Sequence, residues 1–490
     1  MLAAINKLFK TVSSIRIKFG VHPHTAEPNT LIFLPVLPNI FYCGISALVA
    51  FKGRSDSVCK PDQIKKMCAG LEEKGLSANS LDLEKEYLGG DAVLAELTEH
   101  CQALKQENIF TDLFFSRDKQ VQLTEVAEQI REMIKAEKTA FKELLPTLSG
   151  SEVEMLSGRI ERLQDIHWCL NQEVLKNVTA IKNMAMGYDS SENGKGLAVF
   201  KRMNAVLNAI DRLEVRGRDS SGISVLFTLT KEEFEQFRAG LVKAGLSERL
   251  KQRTNHAVLA NNCITIKDMD RDRENHQVSI SFVYKFAAEI GALGDNVSFI
   301  RSQVKNDLLL QLLCQYDYIS HSISAHTRWA SVGDITVANC HPVDNTPTER
   351  KIGRTGIIHV CLNGDIDNYL ELKTEYEARY GKIHEDITTD TKLIPLQVEH
   401  YLKHGQPIEE AFRLAVNDFE GSHAISMHTN LAPGKLFLAQ KGSGQAIFVG
   451  IARDHYIAAS ELYGIVEETQ DYIKLNGEDK GQIVVLDQAS

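Results

Sequence analysis

The residues best suited to chemistry in this 490-residue chain lie in five short stretches. They are Cys43-Gly44-Ile45, Arg216-Gly217-Arg218-Asp219-Ser220-Ser221-Gly222-Ile223, His326-Thr327-Arg328-Trp329-Ala330-Ser331-Val332-Gly333, Leu362-Asn363-Gly364-Asp365-Ile366-Asp367-Asn368-Tyr369 and Thr388-Thr389-Asp390-Thr391. Together they hold a thiol, guanidinium groups, a carboxamide beside a glycine, and carboxylates. Such groups can attack a carbonyl carbon, stabilise the negative charge that forms on its oxygen, and grip a charged small molecule. Each stretch alone has a plainer reading. A cysteine in an apolar run is ordinarily an inert buried thiol, and Asn-Gly marks a type I′ hairpin turn. An Asp ahead of a helix caps it, and most arginines lie on the surface.

Composition narrows the chemistry further. Nine cysteines, odd in number, scattered and never paired as CxxC, fit a reducing compartment and argue against a disulfide framework or a zinc site. One thiol is then free for chemistry. The net charge of −10, with no dense basic block interleaved with aromatics, excludes nucleic acid as an expected partner. No apolar run reaches the roughly 18 to 20 residues that would cross a bilayer. The nearest, Leu31 to Tyr42, is interrupted by Pro35 and Pro38, so no membrane role is expected.

In this order, and with Asn339-Cys340-His341-Pro342 between the third and fourth, the stretches closely resemble the class II glutamine amidotransferases. Trp329 and the wording of the second stretch point within that class to the glucosamine-6-phosphate synthase (glutamine–fructose-6-phosphate aminotransferase) type. The resemblance implies an α+β fold, the four-layer αββα sandwich of the N-terminal nucleophile hydrolases. It also implies hydrolysis of glutamine to glutamate and ammonia, with neither metal nor cofactor.

Residue roles follow from the same resemblance. Cys43 becomes the nucleophile once it is the first residue, because an α-amine with a pKa of about 7.7 to 8.0 can then take the thiol proton. The Asn363 side chain and the Gly364 N–H form the oxyanion hole. Arg328 holds the α-carboxylate of glutamine, Asp390 its ammonium, and Ser331 lies at the substrate rim. Arg216 and Gly217 belong to a wall that orients Cys43, and Trp329 gates an ammonia passage. Departures from the family are Val332 and Leu362 where His is usual, and Ser331 for Thr, which touch the rim rather than the nucleophile.

Stepping outward, the elements must carry these groups to one place. Tyr42 to Phe51 reads as a short apolar strand, closed by a polar loop from Gly53 to Asp62. Val126, Ile130 and Ile134, then Leu156, Ile160, Leu163 and Leu170, recur at helical spacing on either side of Pro146. They predict a long helical hairpin for packing or for a homodimer. Leu197 to Leu213 forms another helix, and a strand follows through Leu226. A helix near Lys231 to Gly245, strands near Cys263 and Gln277, and a helix from Asn306 to Tyr316 make a second excursion. Alternating strands and helices then run to Leu486.

The expected organisation is a leader or propeptide at 1–42 and a glutaminase domain at 43–490. A helical hairpin insertion at about 54–195 and a smaller α/β insertion at about 231–320 interrupt the domain. About 170 residues separate the first two motifs, against a few tens in typical members. The leader carries Lys7, Lys10, Arg16 and Lys18 with no acid in its first 26 residues. An organelle transit peptide, a short propeptide and a misassigned gene start all stay open, with a cytoplasmic location expected otherwise. The family's phosphosugar-isomerase domain has no recognisable place before Ser490 and is expected from a missing C-terminal part or another chain. The competing expectations are a regulatory or scaffold protein that retains its leader, and a glutaminase serving a different acceptor.

Overall fold

The computed structural model describes residues 43–51, 61–77, 82–186, 194–269, 276–287, 292–347 and 353–489. The leader and most of the Gly53–Asp62 loop lie outside the described residues. Two compact units result, one built from the described parts of 58–105 and 116–175 and one from 41–57, 106–115 and 176–490.

The first unit is helical, with Pro61–Glu72, Gly90–Ala103, Arg117–Leu144 and Gly150–Trp168 as its main helices. The expected hairpin is the last pair. Its return is set by Pro146 and by Ser149, which accepts from the Glu152 N–H while the Glu152 carboxylate takes the Ser149 N–H, a capping box. Two further helices pack here that the spacing argument did not single out, burying Ile64, Leu71, Leu94 and Leu97. Arg159 is buried and its guanidinium donates to the Tyr87 carbonyl at 2.9 Å.

The second unit is α+β. Its strands are β1 (Gly44–Ala50), β2 (Ser220–Thr230), β3 (Ile264–Met269), β4 (Gln277–Ala287), β5 (Ser320–Arg328), β6 (Val343–Asp344), β7 (Ile358–Gly364), β8 (His423–Thr429), β9 (Lys435–Lys441), β10 (Phe448–Ile451), β11 (His455–Ala459), β12 (Tyr472–Lys474) and β13 (Gln482–Asp487). They form an eight-stranded antiparallel sheet, β12-β10-β11-β1-β5-β2-β4-β3, and a five-stranded one, β13-β9-β8-β7-β6. The sheets meet face to face through Ile45, Ala47 and Val49 of β1 against Cys361, Ala424, Leu436 and Leu438. Part of that interface is polar: Ser224 Oγ lies 2.6 Å from His359 Nδ1, and Ser322 Oγ lies 2.9 Å from His428 Nδ1.

Helices cover both outer faces. Gly194–Leu213 lies on β1 and β5, and Leu393–Lys403 with Ile408–Asp418 lies on the other sheet through Ile394, Val398 and Phe412. The result is the αββα layering that the resemblance implies. Burial on both faces is why β1 and β2 read as continuous apolar or small-residue runs instead of alternating.

Two expectations change in detail. The stretch 231–320 extends the larger sheet: β4 pairs with β2 from Ser220↔Ala287 to Thr230↔Gln277, and β3 adds the edge. The helix expected from Asn306 to Tyr316 is shorter, Leu308–Leu313, and a separate helix that the spacing did not indicate, Asp295–Asn306, precedes it. Asp307 stands between the two and caps Leu308–Leu313 by accepting from Leu309 N and Leu310 N.

Candidate active site

Cys43 stands immediately ahead of β1, whose register against β5 sets Gly44 opposite Thr327. That pairing brings the thiol to Trp329: its Sγ accepts from the Trp329 N–H at 3.2 Å and can donate to the Trp329 carbonyl at 3.3 Å. Gly44 has no room for a side chain. A Cβ there would lie 2.5 Å from Leu213 Cβ and 2.7 Å from Thr327 Cγ2, so the covering helix and β5 close directly on the backbone next to Cys43. Ile45 N donates to Ser460 Oγ at 3.2 Å, and Ser460 N to the Ile45 carbonyl at 3.1 Å, which pins the strand on its other edge. Burial pushes the Cys43 thiol up to about 12, although the Trp329 N–H and the Arg328 charge pull the other way.

Asn363 and Gly364 close β7, with Gly364 opposite His423 of β8. The hairpin-turn reading of Asn-Gly is therefore wrong here, because the pair ends a strand whose partner lies far along the chain. Gly364 has φ +83°, and a Cβ on it would meet the Ser422 carbonyl oxygen, so glycine is demanded twice over. One N–H of the Asn363 carboxamide donates to the Cys43 carbonyl at 2.8 Å. A carboxamide nitrogen carries a second N–H.

Arg328 ends β5 and is buried, contrary to the surface reading. Its guanidinium donates to the carbonyls of Asp334, at 3.1 Å, and Val332, so it is preset by the loop that follows it. Asp390 is also buried and accepts from the Ile366 N–H at 2.9 Å. Burial and the neighbouring Asp365 raise its carboxyl to about 6, against the pull of the Ile366 N–H and Arg328. Ser331 Oγ donates to Asp365 Oδ1 at 2.5 Å, tying the loops after β5 and β7 together.

The Arg216 segment acts at one remove. Arg216 pairs with Glu461 at 2.7 Å. Gly217 packs so closely on the Arg328–Trp329 peptide that a Cβ would lie 2.6 Å from the Arg328 carbonyl carbon, and its carbonyl accepts from Thr327 Oγ1. Its effect on Cys43 passes through Trp329. The structure thus gathers Cys43, Arg328, Trp329, Ser331, Asn363, Gly364 and Asp390 around one end of the sandwich, with Arg216 and Gly217 behind.

Three residues that sequence reasoning left unassigned support them. Asn339 donates to the Asp334 carbonyl at 3.2 Å and accepts from Thr388 N at 2.8 Å and Thr389 N at 3.1 Å, joining the Arg328 loop to the Asp390 loop. His326 meets Asn363, and His341 meets Thr391. Their signal was present in the Asn339-Cys340-His341-Pro342 stretch and in the first residue of the His326 motif.

No family model matches the chain. Curated relatives do. It is 36% identical over 163 residues to the glutamine–fructose-6-phosphate aminotransferase (isomerizing) of Methanothermobacter thermautotrophicus, a match covering 33% of this chain and 25% of that protein. It is 32% identical over 162 residues to the enzyme of the same name from Bacillus subtilis, covering 33% and 24%. The protein of that name from Streptococcus agalactiae is 28% identical over 200 residues, covering 41% and 31%. The chain spans about a quarter of the length of the first two relatives. A solved structure described as the allosteric regulatory enzyme of purine biosynthesis aligns at 15% identity with a TM-score of 0.35, over 57% of this chain and 43% of that one, a likeness too slight to bear on the site. Over about a third of its own length, this chain is a relative of the glutamine–fructose-6-phosphate aminotransferases.

Proposed function

We infer that the chain is a glutaminase in which Cys43, once it is the first residue, attacks the carboxamide of glutamine and releases ammonia. The observation that carries this is the convergence of the Cys43 thiol, the Asn363 amide, the Arg328 guanidinium and the Asp390 carboxylate at one end of the two sheets. Attack by the thiolate gives a tetrahedral oxyanion, for which the second Asn363 N–H and the Gly364 N–H are the donors. Collapse expels ammonia, with its proton returned by the α-amine, and water then hydrolyses the thioester by the same steps in reverse sense. Arg328 and Asp390 select a free amino acid by holding its carboxylate and ammonium.

The acceptor in this reading is fructose 6-phosphate, the ammonia passing to a phosphosugar-isomerase partner or domain to give glucosamine 6-phosphate. The test uses two forms of the chain, one beginning at Cys43 and one with Met1 verified in place. Glutamate release from glutamine by the first and not by the second supports the reading. Equal turnover by both refutes the terminal-amine mechanism, and no turnover by either refutes the glutaminase. Adding fructose 6-phosphate to the Cys43-started chain alone should yield no glucosamine 6-phosphate; its appearance would refute the division of labour.

A further inference from the structure

Behind the proposed site two imidazoles lie against each other, His326 from β5 and His341 from the loop before β6, with ring centroids 4.4 Å apart. Both are buried. His326 Nε2 is 3.0 Å from Asn363 Oδ1, while Asn363 Nδ2 donates to the Cys43 carbonyl at 2.8 Å. A carboxamide oxygen only accepts, so the His326 proton must sit on Nε2. That bond tells the two ends of the amide apart. Turned over, Asn363 would set its oxygen against the Cys43 carbonyl and present no N–H to a developing oxyanion.

The second ring serves the other end of the substrate. Leu362 N lies 3.5 Å from His341 Nδ1, and His341 Nε2 lies 2.8 Å from Thr391 Oγ1, an arrangement that the Nε2–H tautomer satisfies. The threonine hydroxyl, accepting from the ring, turns its own proton to Asp390 Oδ1 at 3.4 Å. Burial holds both rings neutral, His326 pushed down to about 3 and His341 well below the usual histidine range. Neutral rings with one N–H each are what this directional chain needs.

We propose that His326 and His341 are a positioning pair for the glutaminase reaction inferred above, His326 fixing the oxyanion donor Asn363 and His341, through Thr391, fixing the ammonium acceptor Asp390. Two kinetic signatures then separate. In the Cys43-started chain, His326→Leu should lower kcat by about 10²-fold, the scale of losing one oxyanion donor, with KM little changed. His326→Gln, which keeps an N–H donor at similar reach, should recover most of that loss. Thr391→Val should instead raise KM by roughly tenfold and spare kcat, since the carboxylate loses a bond that orients it for binding.

A purely structural role would move kcat and KM together and would not be rescued by Gln; that result, or a His326→Leu kcat within about threefold of the parent, overturns the proposal. If His326→Leu does not fold, the Thr391→Val split decides for its half of the pair. The imidazole ¹⁵N spectrum of the unsubstituted chain decides for the other without any turnover. His326, assigned by its loss in His326→Gln, must appear as the neutral Nε2–H tautomer down to pH 5, and an Nδ1–H or protonated ring overturns the proposal. The spectrum also separates the two ideas: an Nε2–H tautomer in a Cys43-started chain that hydrolyses no glutamine sinks the glutaminase and keeps the geometry.

Discussion

Cys43 in the chain that retains its leader should be a poor nucleophile, and the size of the effect follows from its surroundings. With the thiol raised to about 12 by burial, the thiolate fraction at pH 7.5 is about 3 × 10⁻⁵. An ordinary cysteine of pKa about 8.5 is about 9% ionised at that pH, some 3,000-fold more. Part of this is offset because a more basic thiolate attacks faster. A Brønsted slope of about 0.45 over about 3.5 pH units returns roughly 40-fold. The net expectation is alkylation about 10²-fold slower than that of an unhindered peptide thiol.

The assay is iodoacetamide labelling of the Cys43 peptide, followed by mass spectrometry from pH 7 to 10.5. The rate in the leader-bearing chain should climb about tenfold per pH unit over that range without levelling. In the Cys43-started chain the new α-amine can take the thiol proton, and labelling at pH 7.5 should rise well above that of the leader-bearing form. A rate in the leader-bearing chain that matches the peptide thiol and levels off near pH 9 would refute the reasoning, because the thiol would then be neither desolvated nor dependent on the amine.

Three further outcomes are expected. Asp390 must be ionised to hold an ammonium and its carboxyl is raised to about 6, so KM for glutamine should rise as pH falls through about 6 and be steady above about 7; a KM flat from pH 7 to 5 would remove Asp390 from the grip. Arg328→Ala should raise KM by about 10- to 100-fold, the worth of a charge-assisted pair, with far-ultraviolet circular dichroism unchanged; an unaltered KM contradicts it. Gly217→Ala should lower stability by about 1 to 3 kcal/mol in thermal melts, because its new Cβ would press on the Arg328–Trp329 peptide backbone, which cannot swing aside as a side chain would; an unchanged Tm would show that the contact relaxes freely.

Much of the site was legible because its chemistry sits in contiguous motifs. Cys43 and Asn363 are each followed by a glycine that the backbone needs, Gly44 under Leu213 and Gly364 at positive φ. What stayed hidden is what only tertiary contact creates. Asn339 lies in a stretch that the resemblance marks, but the bonds by which it joins two loops exist only once the chain is folded, and the hairpin reading of Asn363-Gly364 gives way to the pairing of β7 with β8. The helix Ile408–Asp418 buries Ile408, Ala411, Phe412 and Ala415 on one face, but with two alanines among them the apolar stripe is weak in the sequence. Asp307 starts the helix Leu308–Leu313 afresh after Asp295–Asn306 because a single carboxylate can satisfy two N–H groups at once, a capping bond that periodicity does not register.

The pairing of β1 also has a consequence in time. On one side it needs β5, with Gly44 opposite Thr327, and on the other β11, with Ser46 opposite Ala459. At a synthesis rate of about 5 to 20 residues per second, the ribosome delivers Ala459 roughly 20 to 80 s after Cys43. Through that interval the strand is an apolar ribbon with at least one edge unpaired, and the Ser460 contacts to Ile45 do not exist. A nascent chain stalled short of Ser460 would therefore leave β1 half seated, open to chaperones and to mispairing. The opening strand of the described fold is among the last of its elements to be locked, because its β11 partner is made so long after it.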